Sequence, residues 1–506
     1  MAPKRRSLNA GELIKPKLYS NVGCGFDIST GMPIQGNRGE VIFNGGIGPL
    51  TVVIGKGNVF KSTILHFLML RASDRQAADA FPVLMTHDTE INMTHEGLSR
   101  LTRHYKRLAA LSDDKKGILY GNDPIWKVSD KSTENSEDWF NNAKKSILEK
   151  GKDKKNNTIE YEAFNDPYTG KTFIDYINDF MQVDSFSELE GNDTVDLVDS
   201  EGIGSSRATT LFMKQGLFKT KLTMELPKLS ASNGVKVLLT AQVKEDNINM
   251  KSGPMSHLPP PKKLPHMRGD EKIVGVSNKF LFLTNALWYA TGSKNLMNQT
   301  SKLPEYPKHK DDMHGQELNE VTLKMIRCKT GSSGYNIKVL VSQMDGVIPE
   351  LTDFHNIKLA KRYGLLGNDR TYQIALKPDV NLSRTTVRSK LAEDATLARA
   401  AEITHEMLQL EIFHPEYIRG ADLKCTPEEL YNDIKEMGYD WDVLLKTRSW
   451  WAIKQYSNTE IEPYLHAADL LKMRKGKYHP WWYPTTGIKN PFIDSDKNKF
   501  KKYYKK

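Results

Sequence analysis

Lys61, Ser62 and Thr63 close a short glycine-containing stretch of the sequence. Backbone N–H groups of a loop that opens a helix can hold phosphate, a lysine at its end can reach the β- and γ-phosphates, and a neighbouring hydroxyl can hold Mg²⁺. An apolar run at 50–54 precedes the stretch, and an apolar, helix-like run at 64–70 follows it. The pattern predicts a phosphate-binding loop in which Ser62 also contacts the metal. Its nucleotide-binding residues would be Gly55, Lys56, Gly57, Asn58, Val59, Phe60, Lys61, Ser62 and Thr63.

The loop differs from the common phosphate-loop pattern at one position. The pattern G-x-x-x-x-G-K-[ST] has glycine immediately before the lysine, where this sequence has Phe60. A chance strand, turn and helix with a surface lysine therefore stays open as the alternative interpretation. The strand-like run before the loop and the helix-like run after it favour the phosphate loop.

Three further groups would complete a site for nucleotide hydrolysis. Hydrolysis of ATP needs a carboxylate that orients Mg²⁺, a second carboxylate that activates the attacking water, and a polar group near the γ-phosphate. Candidates of these types follow short apolar runs of the sequence. We predict that Glu90 and Gln242 are catalytic and that Asp199 joins Ser62 as a metal ligand. For each acid taken singly, a solvated loop residue is the alternative.

The elements that would position these residues are short apolar runs that alternate with longer helical patterns. The predicted strands lie at 50–54, 83–85, 195–198, 235–240, 285–289, 321–326 and 337–342. Such alternation implies βαβ units and a parallel sheet. Because ligands of such sheets bind outside the carboxyl ends of the strands, we expect the candidate residues to meet at one edge.

Other stretches read as insertions, loops or helices. The polar stretch at 113–191 is expected to be an exposed insertion, and the proline-rich stretch at 243–277 a loop. Helical patterns dominate beyond about residue 380, notably at 389–413 and 427–437. Two aromatic groups occur there, Trp450-Trp451 and 481–483. They would pack a helical domain or stack on bases, and packing is the favoured interpretation.

The composition limits the class of protein. The chain has 506 residues with 39% hydrophobic residues, enough for about two to four domains. No apolar run is long enough to span a membrane, and no apolar signal region follows the basic N-terminus, so a cytoplasmic protein is expected. The three cysteines are far apart and read as reduced thiols.

The charge balance favours a polyanionic partner. The formal net charge is +10 and the pI about 9.1. For a nucleotide hydrolase, such a balance points most simply to nucleic acid. A generally basic surface without a specific partner is the alternative.

The order of the motifs resembles that of RecA-family recombinases, most closely the phage UvsX-like branch. In that branch the phosphate loop also carries Phe-Lys-Ser, as Phe60-Lys61-Ser62 does here. The Asp-x-Glu of the family resembles Asp88-Thr89-Glu90, its Asp-Ser resembles Asp199-Ser200, and its polar sensor resembles Gln242. Shorter matches lie at 28–31, 345–349 and 360–366.

The resemblance implies an α/β fold: a RecA-like P-loop ATPase core with a largely parallel central sheet, an inserted segment and a helical C-terminal extension. The implied division is an N-terminal arm at 1–40, a core at 41–367, and a mostly helical domain with a basic tail at 368–506. The core would contain the insertion at 113–191 and a DNA-binding loop at 243–277.

The resemblance also implies ATP and Mg²⁺ as cofactors and single- and double-stranded DNA as partners. Arg327 and Lys329 would act on the ATP of a neighbouring subunit. A solvated charged loop is the alternative for the basic residues near the sensor, although such loops suit a phosphate backbone. The implied DNA-binding residues are Arg207, Lys244, Lys251, Lys262, Lys263, Arg268 and Lys272.

The expected function is that of an ATP-dependent DNA recombinase that polymerises on single-stranded DNA and promotes homologous pairing and strand exchange. The expected assembly is a helical filament or a ring, with phage single-strand-binding and mediator proteins as further partners in the host cytoplasm. One alternative is a hexameric helicase of the same fold. Another is a non-catalytic single-strand-binding or annealing protein, which Phe60 would permit.

Overall fold

The computed structural model describes most of the chain. The described residues are 17–77, 79–111, 118–120, 123–166, 169–192, 208–245, 265–267, 271–276, 278–298, 301–309, 316–456 and 462–489, with only the backbone described at 208–214 and 278–279.

The described part of the chain alternates strands and helices. The strands are β1 (Met32–Gln35), β2 (Val41–Asn44), β3 (Leu50–Gly55), β4 (Leu84–Asp88), β5 (Trp126–Asp130), β6 (Thr158–Asn165), β7 (Thr172–Tyr176), β8 (Asp179–Asp184), β9 (Val235–Glu245), β10 (Glu271–Ile273), β11 (Ala286–Asn295), β12 (Leu318–Cys328), β13 (Asn336–Ser342), β14 (Gly346–Val347), β15 (Leu365–Gly367), β16 (Tyr372–Ile374) and β17 (Lys377–Leu382). The helices are α1 (Phe26–Thr30), α2 (Lys61–Gln76), α3 (His95–Thr102), α4 (Lys106–Ala110), α5 (Ser136–Lys152), α6 (Lys154–Asn157), α7 (Ala208–Asn233), α8 (Asn278–Leu283), α9 (Pro349–Leu359), α10 (Val387–Glu393), α11 (Ala395–Phe413), α12 (Pro415–Gly420), α13 (Pro427–Glu436), α14 (Trp441–Leu444) and α15 (Ala467–Arg474).

A large, mostly parallel sheet forms the centre of the molecule. Its strand order is β14-β13-β12-β11-β3-β9-β8-β4-β5, with β10 paired to β9. The strands from β11 to β5 in that order run parallel, and the remaining pairs are antiparallel. The predicted α/β fold with a largely parallel sheet and C-terminal helices is therefore confirmed.

Both faces of the sheet are covered by helices, which is why its strands read as continuous apolar runs. Val53 packs on the face covered by α2 and α9, whereas Val52 and Ile54 pack on the face covered by α5 and α7. Six of the predicted strands correspond to β3, β4, β9, β11, β12 and β13. The seventh, at 195–198, lies outside the described residues.

The predicted insertion at 113–191 is wrong as a unit, because two of its segments belong to the central sheet. Strand β8 lies between β9 and β4, and β5 forms the edge beyond β4. Between them, α5 packs on α7, and β6 and β7 form a separate two-stranded sheet. Strand β8 was missed because Gln182 and Asp184 interrupt its apolar pattern, although both are buried in the fold.

The predicted separation of an N-terminal arm and a C-terminal domain is also wrong for the described residues. Residues 1–16 and the basic tail from 490 onward lie outside them. Phe26 from the predicted arm and Leu470 from the predicted domain belong to one hydrophobic core together with α2. The backbone N–H of Val41 donates to Asp469 Oδ1 at 2.7 Å. The region beyond 368 is mostly helical as predicted, but it begins with the antiparallel pair β16–β17.

The tryptophans of the C-terminal region serve packing, as favoured above. Trp450 and Trp451 are buried. The Trp451 ring packs edge-on against Phe164 at 5.4 Å between centroids. Among the described residues, no helix is both long and apolar enough to cross a membrane.

Lys236 gives the fold a pH dependence that can be measured. Its Nζ is buried and donates to the carbonyl of Leu18, and burial lowers its pKa from 10.5 to about 8. Between pH 8 and 10.5 the unfolded chain therefore holds a proton at Lys236 that the folded chain has lost, so the free energy of unfolding rises with pH across this window.

We expect the difference in free energy of unfolding between the native chain and Lys236→Met to change by about 3 kcal/mol in favour of the native chain from pH 7.5 to 10.5. Denaturant unfolding at a series of pH values measures this difference. A difference that stays constant across the window would show that burial does not lower the pKa of Lys236.

Candidate active site

The segment between β3 and α2 is the predicted phosphate-binding loop, and it connects a buried strand to the start of a helix. At Gly55 a Cβ atom would lie 2.7 Å from Val59 Cγ2 and 3.0 Å from the carbonyl of Ala290, so only glycine fits there. Helix α2 begins at Lys61 without a side-chain cap. The N–H groups of its first turn therefore have no partner within the helix and face the loop.

Phe60 occupies a conformation that normally favours glycine. Its φ of 59° and ψ of 27° lie in the left-handed region, where a side chain is uncommon. The ring packs against the large hydrophobic core beside α2. The departure from the common pattern therefore leaves the loop-to-helix geometry intact.

Lys61 points back over the loop. Its Nζ donates to the carbonyl of Lys56 at 2.6 Å. Burial lowers the pKa of Lys61, and the carboxylates of Asp184 and Glu90 oppose this effect. The two acids are thus close enough to act electrostatically on the lysine of the loop.

Asp184 is the last residue of β8. Strand β8 pairs with β9, which in turn pairs with β3, the strand that leads into the predicted phosphate loop. Thr240 Oγ1 donates to its Oδ1, whereas Oδ2 is buried and accepts no hydrogen bond from the described residues. Burial raises the pKa of Asp184, and the hydroxyls of Ser62 and Thr240 together with Lys61 oppose this rise. A buried carboxylate oxygen without a donor, next to the Ser62 hydroxyl, is suited to receive a cation.

Hydrogen bonds between the ends of β4 and β8 fix the spacing of Glu90 and Asp184. The N–H of Thr89 donates to the carbonyl of Asp184 at 2.7 Å. Thr89 Oγ1 donates to the carbonyl of Ser185 at 2.8 Å and accepts from its N–H at 2.6 Å. The residue before Glu90 is therefore tied to the residue that follows Asp184.

Asp88 shapes the turn that presents Glu90. Its Oδ1 accepts the N–H of Glu90 at 3.0 Å, and its Oδ2 accepts the N–H groups of Asn92 and Met93 at 2.8 and 2.7 Å. Glu90 itself is exposed, and Asn92 Nδ2 donates to its Oε2 at 3.1 Å. The buried Asp88 thus shapes the turn, and the carboxylate of Glu90 faces solvent.

Gln242 lies inside β9 rather than just after a strand, and it contacts the predicted base. It pairs in register with Gly55, and its Nε2 donates to Glu90 Oε1 at 3.2 Å. Its backbone N–H donates to Ser187 Oγ at 2.9 Å, and Ser187 Oγ donates to the carbonyl of Val274 at 3.0 Å. The amide therefore connects the water-facing carboxylate to the strand pair β9–β10.

The phosphate loop is also joined to this strand pair by an ion pair. Lys56 Nζ lies 2.6 Å from Glu245 and 3.9 Å from Glu271. Residues 243–245 and 271–273, which were predicted to lie in a DNA-binding loop, pair as an antiparallel ladder. In that part the loop prediction is wrong, because β9 continues three residues past Gln242 before the chain leaves the described residues.

The remaining predicted residues fall into three groups. Lys244 and Lys272 are exposed and directly opposite each other on β9 and β10. Arg327 and Lys329 lie near the amino ends of β11 and β3, away from the carboxyl ends where the other candidates meet. This placement follows from the register, because Leu287 pairs with Arg327 on one side and with Val52 on the other. Those outside the described residues are Asp199, Arg207, Lys251, Lys262, Lys263 and Arg268.

Asp184 is the residue that the sequence interpretation missed. The tripeptide Val-Asp-Ser occurs at 183–185 and again at 198–200. The second copy was chosen because an apolar run precedes it, and its Asp199 stays a prediction. The first copy held the same signal within a less apolar strand.

The donor set at this edge suits Mg²⁺ bound together with phosphate. Among the described residues, no group of three or more His, Cys, Asp or Glu side chains could hold a metal ion. Mg²⁺ at phosphate sites uses only one or two carboxylates, with water and phosphate oxygens completing its shell. Asp184 Oδ2 and the Ser62 hydroxyl fit this requirement.

Comparison with known proteins identifies no family for this chain. No protein-family model matches the chain, and no curated protein matches it.

Proposed function

We propose that this protein is an ATP-dependent DNA recombinase of the RecA type, which polymerises on single-stranded DNA and promotes homologous pairing and strand exchange. The observation that carries the proposal is the meeting of the predicted phosphate loop with residues from three neighbouring strands. Lys61 and Ser62 come from the loop and α2, Glu90 follows β4, Asp184 ends β8, and Gln242 lies on β9.

Each group has a distinct part in hydrolysis. The loop N–H groups and Lys61 bind the β- and γ-phosphates, and Ser62 with Asp184 would hold Mg²⁺. Bound there, the metal would neutralise developing charge on the phosphate oxygens. Glu90 accepts a proton from the attacking water, and Gln242, which donates to Glu90 at 3.2 Å, holds its carboxylate in place.

The nucleotide bound at the site would influence DNA binding through Gln242 and Lys56. Gln242 lies between Glu90 and the β9–β10 ladder, and Lys56 joins the loop to Glu245 at the end of that ladder. A γ-phosphate that draws Gln242 away from Glu90 would change the position of β9. Such a shared element is what couples two ligands energetically.

The β9–β10 ladder also supports an anionic partner. Lys244 and Lys272 are directly opposite each other and exposed. A phosphate backbone that follows the ladder would lie within reach of both ammonium groups. The ladder leads into the segment that holds Lys251, Lys262, Lys263 and Arg268.

Replacing Lys244 and Lys272 with alanine is expected to weaken binding to single-stranded DNA and to reduce its salt dependence. Each lost phosphate contact should lower the slope of log K against log salt by about 0.7. Fluorescence anisotropy with oligo(dT) at several salt concentrations measures the slope. Lys154→Ala with Lys155→Ala, two exposed lysines on α6, is the matched control. An unchanged slope in the Lys244/Lys272 variant would remove the ladder from the DNA path.

Assembly can be tested by mixing two inactive variants. Arg327 lies level with Val52 of β3, and Lys329 lies beside Asn285 near the start of that strand. These positions are roughly 10 and 17 Å from Gly55 along the strand, so both side chains would serve the site of a neighbour. Lys61→Ala should not bind nucleotide, and Arg327→Ala with Lys329→Ala should bind but not hydrolyse it. We expect their mixture to recover DNA-stimulated hydrolysis, because each Lys61→Ala subunit supplies the missing cations. No recovery at any mixing ratio would exclude sharing of these residues between subunits.

Electron microscopy with single-stranded DNA and a slowly hydrolysed ATP analogue tests the function itself. Helical filaments around DNA, together with DNA-stimulated hydrolysis that Lys61→Ala abolishes, are the expected result. Closed six-membered rings that unwind a forked duplex would instead assign a helicase. DNA binding without turnover in the native chain would assign a non-catalytic annealing protein.

A further inference from the structure

A second cavity lies on the C-terminal side of the molecule, separate from the candidate active site. Its volume is about 400 Å³, within the range of small-molecule pockets. Segment 22–24, helix α2, the start of α9, the first turn of α11 and segment 445–450 form its walls. Its described lining includes none of the residues proposed for ATP hydrolysis.

Positive charge predominates in the lining of this cavity. Four carboxylates also line it, and two of them form ion pairs with lining arginines: Glu402 with Arg75 and Arg399, and Glu462 with Arg107. The cationic lining residues are Arg71, Arg75, Arg107, Arg399, Lys446 and Arg448. The described lining thus holds six cationic side chains and four carboxylates, and Arg71 has no ion pair with any of these four.

Several of the guanidinium groups have donors left over. The Nε atoms of Arg71, Arg75 and Arg399 are buried and find no acceptor among the described residues. Arg75 and Arg399 are only 4% and 5% exposed. A buried donor without an acceptor costs about 1–3 kcal/mol, so three such donors around one cavity require an explanation.

Burial is the main influence on the titration of two of these arginines. Burial, followed by the charge of Arg71, lowers the pKa of Arg75 to about 10. Burial likewise lowers the pKa of Arg448 to about 10. An anion in the cavity would stabilise the charged form of both groups.

We propose that this cavity binds a small anion through a phosphate group, held mainly by Arg71 with Arg75 and Arg399. Guanidinium groups present paired donors that match phosphate oxygens. The Trp450 ring is not available to stack on a base, because Arg448 and Arg107 lie 4.6 and 5.1 Å from its centroid. The recognised part of the ligand is therefore its phosphate.

The cavity has an entrance from solvent. Lys446 and Ala395 are exposed at its edge, and the Glu462 side chain is 54% exposed. Lys446 would attract the anion at this entrance, and the deeper arginines would hold it. The proposal does not depend on ATP hydrolysis or on DNA binding.

Calorimetric titration of the Lys61→Ala variant isolates this cavity, because that variant lacks the lysine of the phosphate loop. Inorganic pyrophosphate is the first probe, and AMP is the second, which distinguishes a free inorganic anion from a phosphate ester. We expect one site per chain for at least one probe. Adding Arg71→Gln should weaken it tenfold or more, and adding Lys446→Gln should weaken it several-fold.

Arg103→Gln is the matched control, since Arg103 is exposed and lies outside the cavity. It should leave the titration unchanged. Arg71→Lys keeps the charge but loses the paired donors, and it should bind more weakly than the parent even if Arg71→Gln does not fold. The proposal is overturned if the Lys61→Ala variant binds neither probe, or if Arg71→Lys and Lys446→Gln bind as tightly as Arg103→Gln.

Discussion

Asp184→Asn is expected to reduce Mg²⁺-dependent ATP hydrolysis on the order of 10²-fold or more, whereas Asp199→Asn leaves it within about twofold. Asp184 Oδ2 is buried without a donor beside Ser62 and Lys61. Asparagine keeps an oxygen that can accept the Thr240 hydroxyl but removes the negative charge that would bind the metal. Steady-state hydrolysis measured over a range of Mg²⁺ concentrations gives the comparison.

Thermal unfolding of both variants provides the control for this pair, because Asp184 is buried and its replacement must be shown to fold. Rescue of Asp184→Asn by high Mg²⁺ would further indicate weakened metal binding. The opposite pattern, with activity lost in Asp199→Asn and kept in Asp184→Asn, would return the metal ligand to the second Val-Asp-Ser.

Glu90→Gln is expected to retain ATP binding and to lose hydrolysis by about 10²–10⁴-fold, the effect of removing a positioned base. The glutamine carbonyl can still accept the hydrogen bond that Gln242 Nε2 donates to Glu90. The site should therefore keep its arrangement while losing the group that takes the proton. Single-turnover hydrolysis and binding of a fluorescent ATP analogue separate the two effects.

Glu96→Gln is a suitable comparison for this variant. Glu96 is an exposed acid in the first turn of α3, near Glu90 in the chain, and its loss changes the net charge equally. It should hydrolyse ATP like the native chain. If Glu90→Gln also hydrolyses ATP at that rate, the base must be another residue.

The strands of the central sheet could be predicted from the sequence where they are apolar. The prediction failed where they contain polar residues. The run at 50–54 is buried on both faces, and its pattern alone identifies it. Strand β8 contains Asp179, which is satisfied only by distant partners: Val83 N–H at 3.0 Å and Lys150 Nζ at 2.7 Å. A local pattern contains no information about such partners, so β8 read as part of a polar insertion.

The general location of the candidate site could be predicted from the sequence, but its complete set of residues could not. The positions of the phosphate loop, Glu90 and Gln242 follow from strand ends that meet at one edge, and the last two touch in the structure. The choice between Asp184 and Asp199 depends on which strand lies beside β9. That order is a tertiary property, and two identical tripeptides cannot specify it.

The joint packing of the two ends of the chain escaped prediction for a related reason. The contacts that create it join residues far apart in sequence, such as His414 with the carbonyl of Ile28 at 2.8 Å. Composition suggested separate segments because charged residues are dense near both ends. The apolar residues between those charges form the shared core.

The bond between Val41 and Asp469 has a consequence for how the protein is made. The two residues are 428 positions apart. Nearby, the Tyr464 hydroxyl donates to the carbonyl of Val41, and the Tyr456 hydroxyl donates to the Glu40 carboxylate. At about 5–20 residues per second, a ribosome needs roughly 20–90 s to deliver the later partners after the earlier ones emerge. During that time the nascent chain exposes the side of β2 that later packs against the segment 464–469. Folding of this part of the core is therefore largely post-translational, and nascent chains shorter than about 470 residues would be clients for chaperones that cover apolar surface.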